Sequence, residues 1–251
     1  VRIFAAGTGA YLSAVLGSEA GATTAQTLSE IGEALVGFLA GREERRIART
    51  LGRVNQEVVR RVDAGEVVKE EIADPQGEGS AEIFESVVEA AARSIEERKC
   101  DVIANLYVSI AFDRSVSIDD ALLYLRRVRA SSWRQLVALR YFEDEDRRAE
   151  REMIGMAGAE GDARIHPVLG IELSELAGRG LEFIGIGQEG GAVADPASTF
   201  GGGTITSRSV SRIRATGLGE TVSRLGKIAE VVTEAELDEI ARDLRSDQRL
   251  D

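Results

Sequence analysis

The sequence predicts a mainly α protein with a single β-hairpin near its end, and three observations carry that expectation. Apolar residues recur at intervals of three and four over most of the chain. Three Ser/Thr-x-x-Asp/Glu/Gln boxes, at Ser117, Ser132 and Thr233, supply side-chain oxygens to the orphan N–H groups of helix starts. The last third orders its elements as helix, Gly-rich hairpin, helix, which is the order of a winged-helix-like module. The expected architecture is an N-terminal helical segment over 1–72, a central helical bundle over 80–130 and a winged-helix-like module with a C-terminal helix over 131–251.

The first zone places Leu28, Ile31, Leu35 and Phe38 on one helical face. After the polar stretch Gly41-Arg-Glu-Glu-Arg-Arg46, Ile47, Leu51, Val54, Val58 and Val62 follow at spacings of four, three, four and four, and Gly65 supplies a stop. No residue after Gly41 in that stretch forbids helix, so two helices or one long one both fit. Asp74-Pro-Gln-Gly-Glu-Gly79 reads as a linker, because Pro removes a donor and Gly permits positive φ. Beyond it Ile83, Val87, Ala91 and Ile95 share a face, and Val102, Ile103, Leu106 and Ile110 form another that ends near Phe112-Asp113.

Ser117-x-x-Asp120 opens a helix carrying Leu122 and Leu125, and Ser132-x-x-Gln135 opens one carrying Leu136, Leu139 and Phe142. The charged run Glu143 to Glu152 reads as a solvated turn and helix face leading into a short helix through Met153 and Met156. In the winged-helix reading, the Ser132 to Phe142 helix comes first and His166 to Ala177 third, stopped by Gly178. Strands at Leu181 to Ile186 and Ile205 to Ile213 form the wing. Thr216-Gly-Leu-Gly-Glu220 opens a further helix with Val222 and Leu225 inward, and Thr233-x-x-Glu236 caps the last, with Leu237, Ile240 and Leu244 inward. Trp133 and Tyr141 read as core at the junction of bundle and module.

At 251 residues and 43% hydrophobic content the chain can bury a substantial core. Its 31 Lys and Arg against 43 Asp and Glu give a net charge of −12, which opposes nonspecific attraction to nucleic acid or anionic lipid. The single cysteine, Cys100, excludes an intramolecular disulfide and fits a reducing, cytoplasmic setting. No basic region precedes an apolar core at the start, so no cleaved leader is expected. The uncharged run Ile3 to Ser18 is short of the roughly 20 apolar residues of a membrane span.

Candidate chemistry is sparse. Gly185-Ile-Gly187-Gln-Glu-Gly190 follows a strand as a dinucleotide loop would, but runs into further glycines instead of opening a helix. Gly7-Thr-Gly9 is weaker still. One histidine, His166, excludes His-pair metal sites, and no Gly-x-Ser-x-Gly elbow accompanies it. Paired acids such as Glu96-Glu97 and Asp119-Asp120 are explained by helix dipoles. No catalytic residue, metal ligand or cofactor site is therefore assigned.

The DNA-binding reading meets an acidic obstacle: the helix before the hairpin carries Glu172 and Glu175 and no basic residue, and His166 to Asp251 holds nine basic against fourteen acidic residues. The local exception is Arg208, Arg212, Arg214, Arg224 and Lys227, a candidate anion or nucleic-acid contact, or else a solvent-facing hairpin surface.

Ser94-Ile-Glu-Glu-Arg-Lys-Cys-Asp-Val-Ile-Ala-Asn-Leu-Tyr-Val-Ser-Ile-Ala-Phe-Asp113, with Ser117-Ile-Asp-Asp-Ala and Ser132-Trp-Arg-Gln-Leu136, resembles uncharacterised bacterial helical proteins, the nearest named group being the abortive-infection alpha type. The resemblance covers roughly residues 80–142. It implies a bacterial cytoplasmic protein associated with phage defence or toxicity.

The leading expectation is a non-enzymatic interaction or scaffold protein that contacts an unidentified protein partner, with the winged-helix module as its protein-binding or dimerising surface and the apolar faces of the N-terminal helices as a homo-oligomer contact. The alternative is a DNA-binding transcriptional regulator using the Arg208 to Lys227 patch. A third is a membrane-acting effector working through residues 3–39.

Overall fold

A computed structural model describes residues 41–73, 78–157, 167–184 and 213–245. These residues are mainly helical and form helical bundles in two compact units. The first gathers the described residues up to Ala130 with the three-residue segment Leu225–Lys227, and the second the other described residues from Ser131. Leu28, Ile31, Leu35 and Phe38, the Gly7 and Gly185 loops, and His166 lie outside the described residues.

The first unit is built from α1 (Arg42–Asp63), α2 (Glu70–Ala73), α3 (Glu78–Arg93), α4 (Glu97–Phe112) and α5 (Ile118–Ala130). α4 is the central rod: from Lys99 to Ala111 every residue except Asp101 is buried. Covering a helix on all sides requires neighbours on all sides, and α1, α3 and α5 supply them. Phe84 of α3 meets Tyr107 of α4 edge to face, with ring centroids 6.3 Å apart.

Two buried lysines close this core by donating to backbone carbonyls. Lys99 Nζ reaches Arg129 O at 2.8 Å, and the Lys69 backbone N–H reaches Ala111 O at 2.9 Å while its Nζ bonds Val116 O at 2.5 Å. α1 ends in a Schellman motif at Gly65, φ 84°, with Glu66 N–H bonded to Arg61 O and Gly65 N–H to Val62 O.

Two local expectations fail in this unit. Ile95 is 88% exposed, not on the Ile83 face, because α3 stops at Arg93 and the Ser94 hydroxyl donates to Glu96 O to turn the corner. Val62 is 37% exposed in the last turn of α1, whereas Val54 and Val58 before it are buried.

The second unit contains α6 (Trp133–Glu143), a short 3-10 turn (Glu145–Arg147), α7 (Arg148–Ala157), α8 (Pro167–Gly178), β1 (Glu182–Ile184), β2 (Ile213–Ala215), α9 (Gly217–Leu225), α10 (Ile228–Val231) and α11 (Glu234–Arg245), although α9's last residue groups with the first unit. α6 is its centre and opens with a full capping box: Ser132 Oγ accepts from Gln135 N–H at 3.1 Å and Gln135 Oε1 from Ser132 N–H at 2.9 Å. Arg151 closes the other end. Fully buried, it donates through Nη1 to Tyr141 O at 2.7 Å and Asp144 O at 2.6 Å, so the charged run after Glu143 is not wholly solvated.

The expected C-terminal winged-helix module is overturned. The fold is mainly helical, and the described β-structure is a single antiparallel ladder of three residues on each side, Glu182↔Ala215 to Ile184↔Ile213. Three pairs make a clasp between α8 and α9; the extended β-rich hairpin of a winged helix is not supported. Glycine carries the clasp. α8 runs to Gly178, one residue further than expected, and its stop is a Schellman motif on Gly180, φ 73°, not on Gly178, with Leu181 N–H bonded to Leu176 O. Gly219 packs so closely on Leu181 O that a Cβ there would collide with backbone. Apolar periodicity marks helices that the fold contains, but helix-hairpin-helix order alone does not determine a wing.

Candidate interaction surfaces

Of the five basic residues singled out in the sequence, Arg208 and Arg212 lie outside the described residues. Arg214 sits in β2 opposite Phe183, and Arg224 is exposed on α9. Lys227 belongs to the first unit, in the left-handed region at φ 48°, and its Nζ pairs with Glu57 Oε1 at 2.9 Å. Gly226 beside it accepts from Asn105 Nδ2 at 3.4 Å. A lysine whose ammonium is committed to a buried carboxylate contributes little to an outward anion patch.

Glu57 is the most strongly held carboxylate described. Arg60 donates to both its oxygens, at 2.6 and 2.8 Å, and these bonds, with Lys227 after them, hold its carboxyl well below the usual range. Such a group stays ionised and does not cycle protons.

Cys100 is fully buried, and burial pushes its thiol up, away from thiolate reactivity. In the second unit, buried Ser223 donates a short hydrogen bond to Glu143, whose carboxyl is raised by burial against the opposing pull of that bond. With no third group orienting it among the described residues, the Ser223–Glu143 pair reads as a clip between α6 and α9. No cluster of three or more His, Cys, Asp or Glu that could hold a metal occurs among the described residues.

The helix that the DNA reading judged acidic looks different once folded. Glu172 pairs with Arg134 at 2.7 Å, while Glu175 accepts from Gln135 at 2.6 Å and pairs with Arg179 at 3.1 Å. Both acids are thus answered from within the unit. Burial raises Glu172, whereas the Gln135 bond, with Arg179, lowers Glu175. What α8 presents outward in its first turns is apolar: Val168 is 50% and Ile171 61% exposed, three residues apart on one face.

A second surface lies along α1. Arg42, Arg45, Arg49, Arg53, Gln56 and Arg60 follow one another along α1 at spacings of three, four, four, three and four, and all are exposed. The signal was available as periodicity: the apolar set from Ile47 to Val62 was traced through the same segment, and the arginines trace the opposite face. Arg49 bonds Asp101 at 2.6 and 3.1 Å, while Arg42, Arg45 and Arg53 make no ion pair with any described residue.

Geometry therefore defines the class as a helical bundle protein. No family model, curated protein or solved structure matches the chain. No helix among the described residues is long and apolar enough to cross a membrane, and residues 3–39 lie outside them.

Proposed function

We propose that this chain is a non-enzymatic interaction protein that self-associates through the outward face of α8, acting in the cytoplasm in the phage-defence setting that the resemblance over residues 80–142 implies. The observation that carries the reading is the pair Val168 and Ile171. They stand in solvent on a helix whose acids are satisfied and whose other apolar residues, Leu169, Leu173 and Leu176, are buried. Covering two such side chains is worth on the order of 2–4 kcal/mol, enough to anchor an interface whose rim supplies specificity.

The polar groups that could have suggested chemistry support the same reading. Glu57, Glu143 and Ser223 each have an intramolecular partner that explains their position. Light scattering over a wide concentration range tests the proposal. It expects a mass above the monomer for the wild type and a monomer for the Val168→Asp, Ile171→Asp double variant. A monomer throughout, or an oligomer indifferent to the substitutions, would overturn it.

A further inference from the structure

The arginine face of α1 carries a second, independent reading. At 100° per residue, Arg42, Arg45, Arg49, Arg53, Gln56 and Arg60 fall within roughly 40° of one line along the helix. From Arg42 to Arg60 that line runs about 27 Å at 1.5 Å per residue. The face has five guanidiniums, one amide, and no aromatic or aliphatic side chain. Glu43, Glu44 and Glu57 project from other sides of the helix, and Asp63 closes the line at its end. Asp101 and Glu97 engage Arg49 from α4 and Glu57 engages Arg60, while Arg42, Arg45 and Arg53 make no ion pair among the described residues. All of this sits in a chain of net charge −12, so the positive charge is segregated, not a by-product of composition.

We propose that this face is a docking strip for the sugar-phosphate backbone of a nucleic-acid duplex. Protein interfaces place apolar and aromatic residues at their centre, and this strip has none. Helices that lie in a lipid surface bury an apolar face in it, but the apolar face of α1 is spent on the bundle. Single strands are gripped by stacking on aromatic side chains, which are also absent from the strip. A regular row of guanidiniums fits closely spaced phosphates, which guanidinium forks bind bidentately and without reading sequence. The rest of the acidic surface repels the same polyanion and confines it to this strip.

Fluorescence anisotropy of the full chain with labelled duplex DNA, duplex RNA and a single strand of equal length tests the proposal at low and rising salt. The expected result is binding to at least one duplex, indifferent to sequence, with log K falling against log[salt] at a slope of about −3 to −4, ~0.9 per phosphate neutralised. Arg45→Glu with Arg53→Glu lowers affinity at least tenfold and reduces the slope by about 2, with far-UV circular dichroism and thermal midpoint unchanged. Arg45→Gln with Arg53→Gln gives an intermediate loss, and Arg148→Glu in the second unit gives none. Three outcomes overturn the proposal: no duplex binding at low salt, binding that survives the double reversal, or stronger binding at equal salt to phosphatidylserine vesicles, to polyglutamate or to the single strand.

Discussion

The two units are held together by different physics. In the first, α4 is an almost wholly buried rod among helices whose own buried residues include Val54, Ile83, Val87, Leu125 and Val128, and the unit's buried lysines end on carbonyls. In the second, α11 packs Leu237, Ile240 and Leu244 inward but is edged with charge on both sides. Arg147 reaches Glu234 at 2.6 Å and Asp238 at 2.9 Å, Arg134 pairs with Asp243, Arg245 pairs with Glu150, and Trp133 Nε1 donates to Glu236 at 2.8 Å. Apolar burial is not screened by salt, whereas partly exposed ion pairs are. Among the described residues the first unit leaves Arg42, Arg45 and Arg53 without an ion pair, while the second spends many of its own cations on placing helices.

Breaking the rod has the largest effect. Leu106→Ala in α4 is expected to lower unfolding free energy by about 2–5 kcal/mol in urea titration, the range for emptying a fully buried leucine site. Next comes Arg151→Met, which keeps the aliphatic stem but leaves the Tyr141 and Asp144 carbonyls at the end of α6 without their charged donor. A loss of about 1.5–3 kcal/mol in the same assay is expected. Smaller again is Arg147→Ala, near 1 kcal/mol or below because Glu234 and Asp238 are largely exposed, and its effect shrinks at high salt.

Acid separates Glu57 of the first unit from Glu143 of the second by sign. Glu57 has a folded pKa below its ordinary 4.5, so its contribution is present above that value and is lost as pH falls through the lowered one. Glu57→Gln should therefore destabilise at neutral pH and approach wild type in strong acid. Glu143 has a raised folded pKa; the contribution of its protonated form is full below 4.5 and lost as pH rises through the raised value. Glu143→Gln, which keeps an acceptor for Ser223, should be equal to or slightly more stable than wild type at pH 7 and lose that difference in acid. Thermal midpoints across pH for both variants check the opposition of slopes.

Much of the helical character is legible because local signals have local causes. Ser132 and Gln135 bond each other's backbone as the box predicts, Thr233 N–H and hydroxyl both bond Glu236, and α4 ends at Phe112. The failures are tertiary. Nothing around Ile95 in the sequence says that Ser94 turns the chain one residue earlier, and nothing in the run Glu143 to Glu152 distinguishes Asp144 and Arg151, which are buried, from their neighbours. The acidity of α8 misled for the same reason, since Arg134 and Gln135 answer its glutamates from more than thirty residues away. The winged-helix expectation failed by extending element order into a sheet that, as described, is three residues long. For the surfaces, the arginine row was legible in principle, whereas the exposure of Val168 and Ile171 depends on how α8 is packed.

Native-state hydrogen exchange followed by mass spectrometry, at low and at high salt, tests the contrast between the units most directly. Peptides from α4 should keep their protection at both salts, while those from α11 should lose protection as its ion pairs are screened. Equal salt response in the two helices, or a larger loss in α4, would contradict the assignment of apolar burial to one unit and charge to the other.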